Sequence, residues 1–80
     1  MKKKSILVVD DEESIRVSLQ RIIGNANYQV ETADNGSMAL KKLANHHYDL
    51  VLTDIMMGDV SGLKLLENIK EKYSGVLVLL

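Results

Sequence analysis

The sequence contains no cysteine, no tryptophan and no phenylalanine, and its 80 residues include only three tyrosines. Without cysteine there is no disulfide framework, no thiolate zinc site and no thiol nucleophile, which suits a cytosolic protein. With so few aromatic side chains the core must be aliphatic. Charge of one sign is missing too, because ten Lys and Arg stand against eleven Asp and Glu for a formal net charge of −1. No global field can hold nucleic acid or an anionic membrane, so binding must come from a local site. Long hydrophobic runs are also absent. After Met1-Lys2-Lys3-Lys4, the apolar stretch from Ile6 to Val9 stops at Asp10, too short for a signal-peptide h-region, and no segment approaches a membrane span. A chain of this length leaves no room for a second folded domain.

What is present alternates between two periodicities. Ile6-Leu7-Val8-Val9 is a β-branched run without alternation, expected of a strand buried on both faces of a parallel sheet. Four acids, Asp10 to Glu13, follow it. Ile15, Leu19, Ile22 and Ile23 then recur at helical spacing, and Gly24 offers a left-handed stop. Tyr28 to Ala33 alternates polar with apolar or small residues, as a half-exposed edge strand does. Asp34-Asn35-Gly36 signals a turn, and Met38, Ala39, Leu40, Leu43 and Ala44 supply a second helical face before the polar break Asn45-His46-His47. Leu50-Val51-Leu52 is the next buried strand, with Asp54 just beyond it. Ser61 is placed to cap a third helix whose Leu63, Leu66, Ile69 and Tyr73 share one face, and Val76-Leu77-Val78-Leu79-Leu80 is a fourth strand. This βαβαβαβ order predicts an α/β fold, a doubly wound parallel sheet with right-handed crossovers. The last strand is apolar throughout, as interior strands are, yet no later strand follows to cover it.

Ligands of open parallel sheets bind beyond the carboxyl ends of the strands, where Asp10, Asp11 and Asp54 fall. If the first and third strands are neighbours, three carboxylates converge, and their repulsion calls for a cation or a retained proton. An all-oxygen donor set with room for water suits Mg²⁺, at roughly 2.0–2.1 Å, better than zinc or copper. For Glu12 and Glu13 the simpler role is to favour the positive end of the first helix. His46 and His47 are adjacent, point apart and cannot chelate together, so they read as solvated turn residues. The methionines read as core or loop fillers.

Ile6-Leu7-Val8-Val9-Asp10-Asp11-Glu12, Asp34-Asn35-Gly36, Leu50-Val51-Leu52-Thr53-Asp54-Ile55-Met56-Met57 and Ser61-Gly62-Leu63 together resemble the receiver (response-regulator) domain of bacterial two-component signalling. The resemblance implies a flavodoxin-like sheet of strand order 2-1-3-4, residues 1–80 forming the N-terminal portion of a single receiver domain, with the fifth strand and last two helices missing. It implies that Asp54 accepts a phosphoryl group from a histidine kinase or phosphotransfer protein in the cytoplasm. It also implies that Mg²⁺ is held by Asp10, Asp11, Asp54 and the backbone carbonyl of Met56. Such a module is not an enzyme toward separate substrates, although family members catalyse their own phosphotransfer and dephosphorylation.

Two departures stand out. Gly58 occupies a place where receivers usually carry proline, which this chain lacks altogether, so the loop should be looser without losing a ligand. The family's Thr or Ser after the fourth strand and Lys after the fifth have no counterpart before Leu80, and Lys2 to Lys4, at the opposite end of the sheet, cannot replace them. Other phosphate-handling classes fit less well. A haloacid-dehalogenase-like phosphatase needs a second Asp where Met56 stands, an FMN site would be repelled by the four acids, and no P-loop motif occurs. The alternative from a different class is a non-switching fragment that only self-associates through its exposed fourth strand.

Overall fold

The computed structural model describes residues 3–53, 62–72 and 77–79, with the backbone alone described for Gly62, Leu63, Leu66 and 77–79. The elements run β1 (Ser5–Val9), α1 (Glu13–Asn25), β2 (Gln29–Ala33), α2 (Gly36–Asn45), β3 (Leu50–Thr53), α3 (Gly62–Lys72) and β4 (Leu77–Leu79). The strands form one parallel sheet, as the element order predicts, in the order β2-β1-β3-β4 that the family resemblance implies. Because β1 has a hydrogen-bonded neighbour on each side and helices over both faces, four consecutive apolar residues are consistent with it. Ile6, Leu7, Val8 and Val9 are all buried.

The two faces of the sheet are finished differently. Leu7, Val9 and Val51 project with Ala33 into the main core, where Ala39 and Leu43 of α2 and Leu65 and Ile69 of α3 meet them. Ile6 projects to the other face with Leu50 and Leu52, and Ile22 and Ile23 of α1 lie across them. Helix α1 has no buried residue. Its apolar stripe therefore rests on a sheet face that it does not seal.

Several local expectations need correction. Gly24 lies inside α1, and the left-handed residue is Asn27, at φ 72°; asparagine is among the residues that tolerate that region, so the chain turns three positions later than the glycine suggests. A Cβ at Gly24 would meet nothing within 4 Å. Asn35, read as part of a turn, is the N-cap of α2, its side chain accepting from the Met38 N–H at 2.8 Å. On that helix Met38 and Ala44 face solvent while Ala39 and Leu43 are buried. In α3 Ile69 is buried as expected, and Leu65, which the sequence did not single out, is buried with it at an i+4 spacing that places both on one face. The side chains of Leu63 and Leu66 and all of Ser61, Tyr73, Val76 and Leu80 lie outside the described residues.

Among the described residues Tyr48 is the one aromatic side chain in the buried core, just before β3. Its hydroxyl donates to Glu31 Oε1 on β2 at 3.0 Å, and Lys42 Nζ on α2 stands 3.9 Å from the same carboxylate. Burial, and then the hydrogen bond to Glu31 and its negative charge, push the Tyr48 phenol from 10.0 up to about 12. A raised native value means that this contribution is complete below pH 10 and is lost as pH climbs toward 12. Tyr48→Phe should therefore cost on the order of 1–2 kcal/mol at neutral pH. The deficit should shrink as pH rises through that window, measured by urea unfolding of both proteins; a deficit constant to pH 12 would disprove the assignment.

Candidate functional site at the carboxyl edge of the sheet

The register of the central strands sets the site. Val9 of β1 pairs with Thr53 of β3 and with Ala33 of β2. The residue after Val9 is Asp10, and in sequence the residue after Thr53 is Asp54. Asp54, Met56 and Gly58 lie outside the described residues. Among the described residues no three His, Asp or Glu side chains form a group able to hold a metal ion.

Asp10 is buried and already partly engaged. Its Oδ1 accepts from the Glu12 N–H at 2.9 Å and its own N–H donates to the Ala33 carbonyl at 3.2 Å. The first contact is the local turn that Asp side chains form with the backbone two residues on. It bends the chain from β1 into α1 and fixes the carboxylate at the edge of the sheet. Asp11 is exposed. Glu12 is the N-cap of α1 without a side-chain capping bond, and Glu13 lies in the first turn; both acids sit where the helix dipole favours negative charge, the role the sequence suggests.

Arg16, which the sequence reading did not single out, donates from Nη1 to the Asp10 carbonyl at 2.6 Å. This cation crosses one helical turn and secures the turn from the other side. The signal for it lay in the sequence, since Arg16 is the first basic residue of α1 and stands four positions after Glu12.

The opposite edge of the sheet carries different chemistry. His47 Nε2 stands 3.3 Å from Asp49 Oδ1, while Asp49 Oδ2 accepts from the Ser5 N–H at 2.8 Å. The Ser5 amide, against some opposing desolvation and with help from His47, holds the Asp49 carboxyl below its ordinary value. The His46 ring meets Tyr48 edge-on at 6.4 Å. Both histidines are exposed, and they contact different partners rather than a shared centre. Lys3 and Lys4 are exposed before β1, and no helix among the described residues is long and apolar enough to cross a membrane.

Comparison with known proteins places this geometry. Residues 6–80 match the family described as response regulator receiver domain, and the chain belongs to that family. Over 75 residues it is 39% identical to the transcriptional regulatory protein ResD of Bacillus subtilis, covering 94% of this chain and 31% of ResD. The response regulator TrrA of Thermotoga maritima, solved in complex with Mg²⁺-BeF, superposes with a TM-score of 0.92 at 43% identity, over 96% of this chain and 67% of that one. TrrA in complex with the histidine kinase ThkA gives a TM-score of 0.88, over 94% of this chain and 65% of TrrA. The chain thus spans about a third of ResD and about two thirds of TrrA.

The turn at Asp10 needs an acceptor and not a charge. Asp10→Asn should keep the stability of the parent, whereas Asp10→Ala should lose about 1 kcal/mol by leaving the Glu12 N–H without its partner. Equal losses in urea unfolding would refute the role given to Oδ1.

Proposed function

We propose that the chain is the phosphoacceptor part of a two-component phosphorelay, in which Asp54 takes a phosphoryl group from the phosphohistidine of a histidine kinase or phosphotransfer protein. The observation that carries this reading is the pairing of Val9 with Thr53, which brings the strand leading to Asp54 alongside the strand leading to Asp10 and Asp11. The family match and the solved complex of TrrA with a histidine kinase support the choice of donor.

A carboxylate oxygen of Asp54 attacks phosphorus as the phosphorus–nitrogen bond of the donor breaks, and the imidazole leaves with the electron pair and is protonated. The product is an acyl phosphate. The residues fit a hard divalent cation, because the donor set is carboxylate oxygen, Asp11 is exposed, and Asp10 commits Oδ1 to the Glu12 N–H from the protein. Asp10, Asp11, Asp54 and the Met56 carbonyl would hold it, the last by family resemblance alone, and the complex of TrrA with Mg²⁺-BeF supports Mg²⁺. When bound, Mg²⁺ offsets the repulsion between the acceptor carboxylate and the anionic phosphoryl group. The chain's own part is to fix Asp10 through the turn and to present the acceptor at the end of β3. Turnover on itself, and not chemistry on separate substrates, is the activity proposed, within the cytoplasm and without direct contact to nucleic acid or membrane.

Incubation with a small phosphodonor and Mg²⁺, followed by mapping of the modified residue by mass spectrometry, should locate one phosphoryl group on Asp54. Asp54→Asn should abolish it. A modification that survives in that variant, or that maps to Asp10 or Asp11, would refute the assignment.

A further inference from the structure

The turn from β1 into α1 is closed by a circuit of three hydrogen bonds. The Glu12 N–H donates to Asp10 Oδ1 at 2.9 Å, the Glu12 carbonyl accepts from the Arg16 N–H at 3.1 Å, and Arg16 Nη1 returns to the Asp10 carbonyl at 2.6 Å. Outside the circuit, the Asp10 N–H donates to the Ala33 carbonyl of β2 at 3.2 Å. Arg16 is half-buried, although its neighbours Ile15 and Val17 are 38% and 45% exposed. An arginine more sheltered than the aliphatic residues on either side of it is not an ordinary solvated helix charge.

We propose that Arg16 is a positioning residue for the cation site, holding Asp10 and Asp11 in place through the Asp10 carbonyl. The inference rests on the reading of these two acids as cation ligands and concerns how they are held. Asp10 is tied to β2 through its N–H, to Glu12 through Oδ1 and to α1 through its carbonyl. The last of these ties depends on a single side chain. Asp11 lies inside the circuit, between two of the residues that it joins, so the same brace restrains the backbone that carries its exposed carboxylate. Partners that hold metal ligands from outside are commonly worth about 10- to 100-fold in affinity. Arg16 also brings a positive charge to a place meant for a cation, and that effect alone would oppose binding. The two effects differ in sign. Its bond to the carbonyl is short and charge-assisted, whereas repulsion of a cation at an open edge is screened by water and salt, so the brace outweighs the repulsion.

Mn²⁺ titrated into the isotopically enriched chain, followed through the amide signals of residues 10–12, should bind Arg16→Met at least about tenfold more weakly than the parent. Arg16→Lys keeps the charge and a donor on a shorter arm, and its affinity should fall between the two. Arg21→Met removes the same charge from an exposed position on the same helix and should stay within about twofold of the parent. Without metal, hydrogen exchange of the Glu12 amide should quicken about tenfold in Arg16→Met and stay unchanged in Arg21→Met, which reports on the turn itself. Circular dichroism checks that each variant is folded, and Arg16→Gln provides the same comparison should Arg16→Met lose helix content. Arg16→Met binding Mn²⁺ as tightly as the parent, or more tightly, would overturn the proposal and leave the cation site standing. An unchanged Glu12 amide would overturn it too, as would an equal loss of affinity in Arg21→Met, which would trace the effect to the helix at large. A parent chain without broadening at residues 10–12 would overturn the cation reading and this inference with it.

Discussion

The hydrogen-bonded position of β1, between β2 and β3 and beneath helices on both faces, is the constraint from which most of the molecule follows. A strand so enclosed has no polar surface of its own except at its ends. Ile6 to Val9 fill both sides of the sheet at once, and the chain must change character abruptly where it leaves. It does so at Asp10, whose carboxylate is spent partly on the Glu12 amide. The same residue thus ends the buried strand, begins the turn into α1 and stands at the edge where the proposed chemistry takes place. Arg16 closes the arrangement by binding the Asp10 carbonyl from the helix.

Parallel pairing then carries the consequence across the sheet. With Val9 level with Thr53, two strands that are each followed in sequence by an aspartate lie side by side. The other edge, with Lys4, His47 and Asp49, is assembled from the incoming ends of the same strands and is tied by Ser5. The two edges therefore differ in charge for a topological reason. Every strand runs the same way, so all the exits meet on one side and all the entries on the other.

How much of this the sequence disclosed depended on whether the determining contact was local. The unbroken run Ile6 to Val9, the alternation through β2 and the acids after two strands are local patterns, and the strand order followed from them with the family resemblance. Tyr48 was not legible as core, because its burial depends on Glu31 and on α2 packing over it. Asn27 took the left-handed turn although Gly24 was the stronger local signal, since α1 continues past the glycine. Leu65 was passed over because Leu63, Leu66, Ile69 and Tyr73 make a helical stripe by spacing alone, and the burial of Leu65 beside Ile69 depends on packing against other elements. Arg16 reads as a solvent-facing helix residue until the Asp10 carbonyl is placed beside it.

The central claim is that Asp10, Asp11 and Asp54 converge on one divalent cation at the carboxyl edge. Substoichiometric Mn²⁺ added to the isotopically enriched chain tests this most directly, because the ion broadens amide signals according to their distance from it. Broadening should be centred on residues 10–12 and on the residues that follow Thr53, and excess Mg²⁺ should reverse it. Broadening centred on His46, His47 and Asp49, with the signals of Asp10 and Asp11 unaffected, would contradict the account.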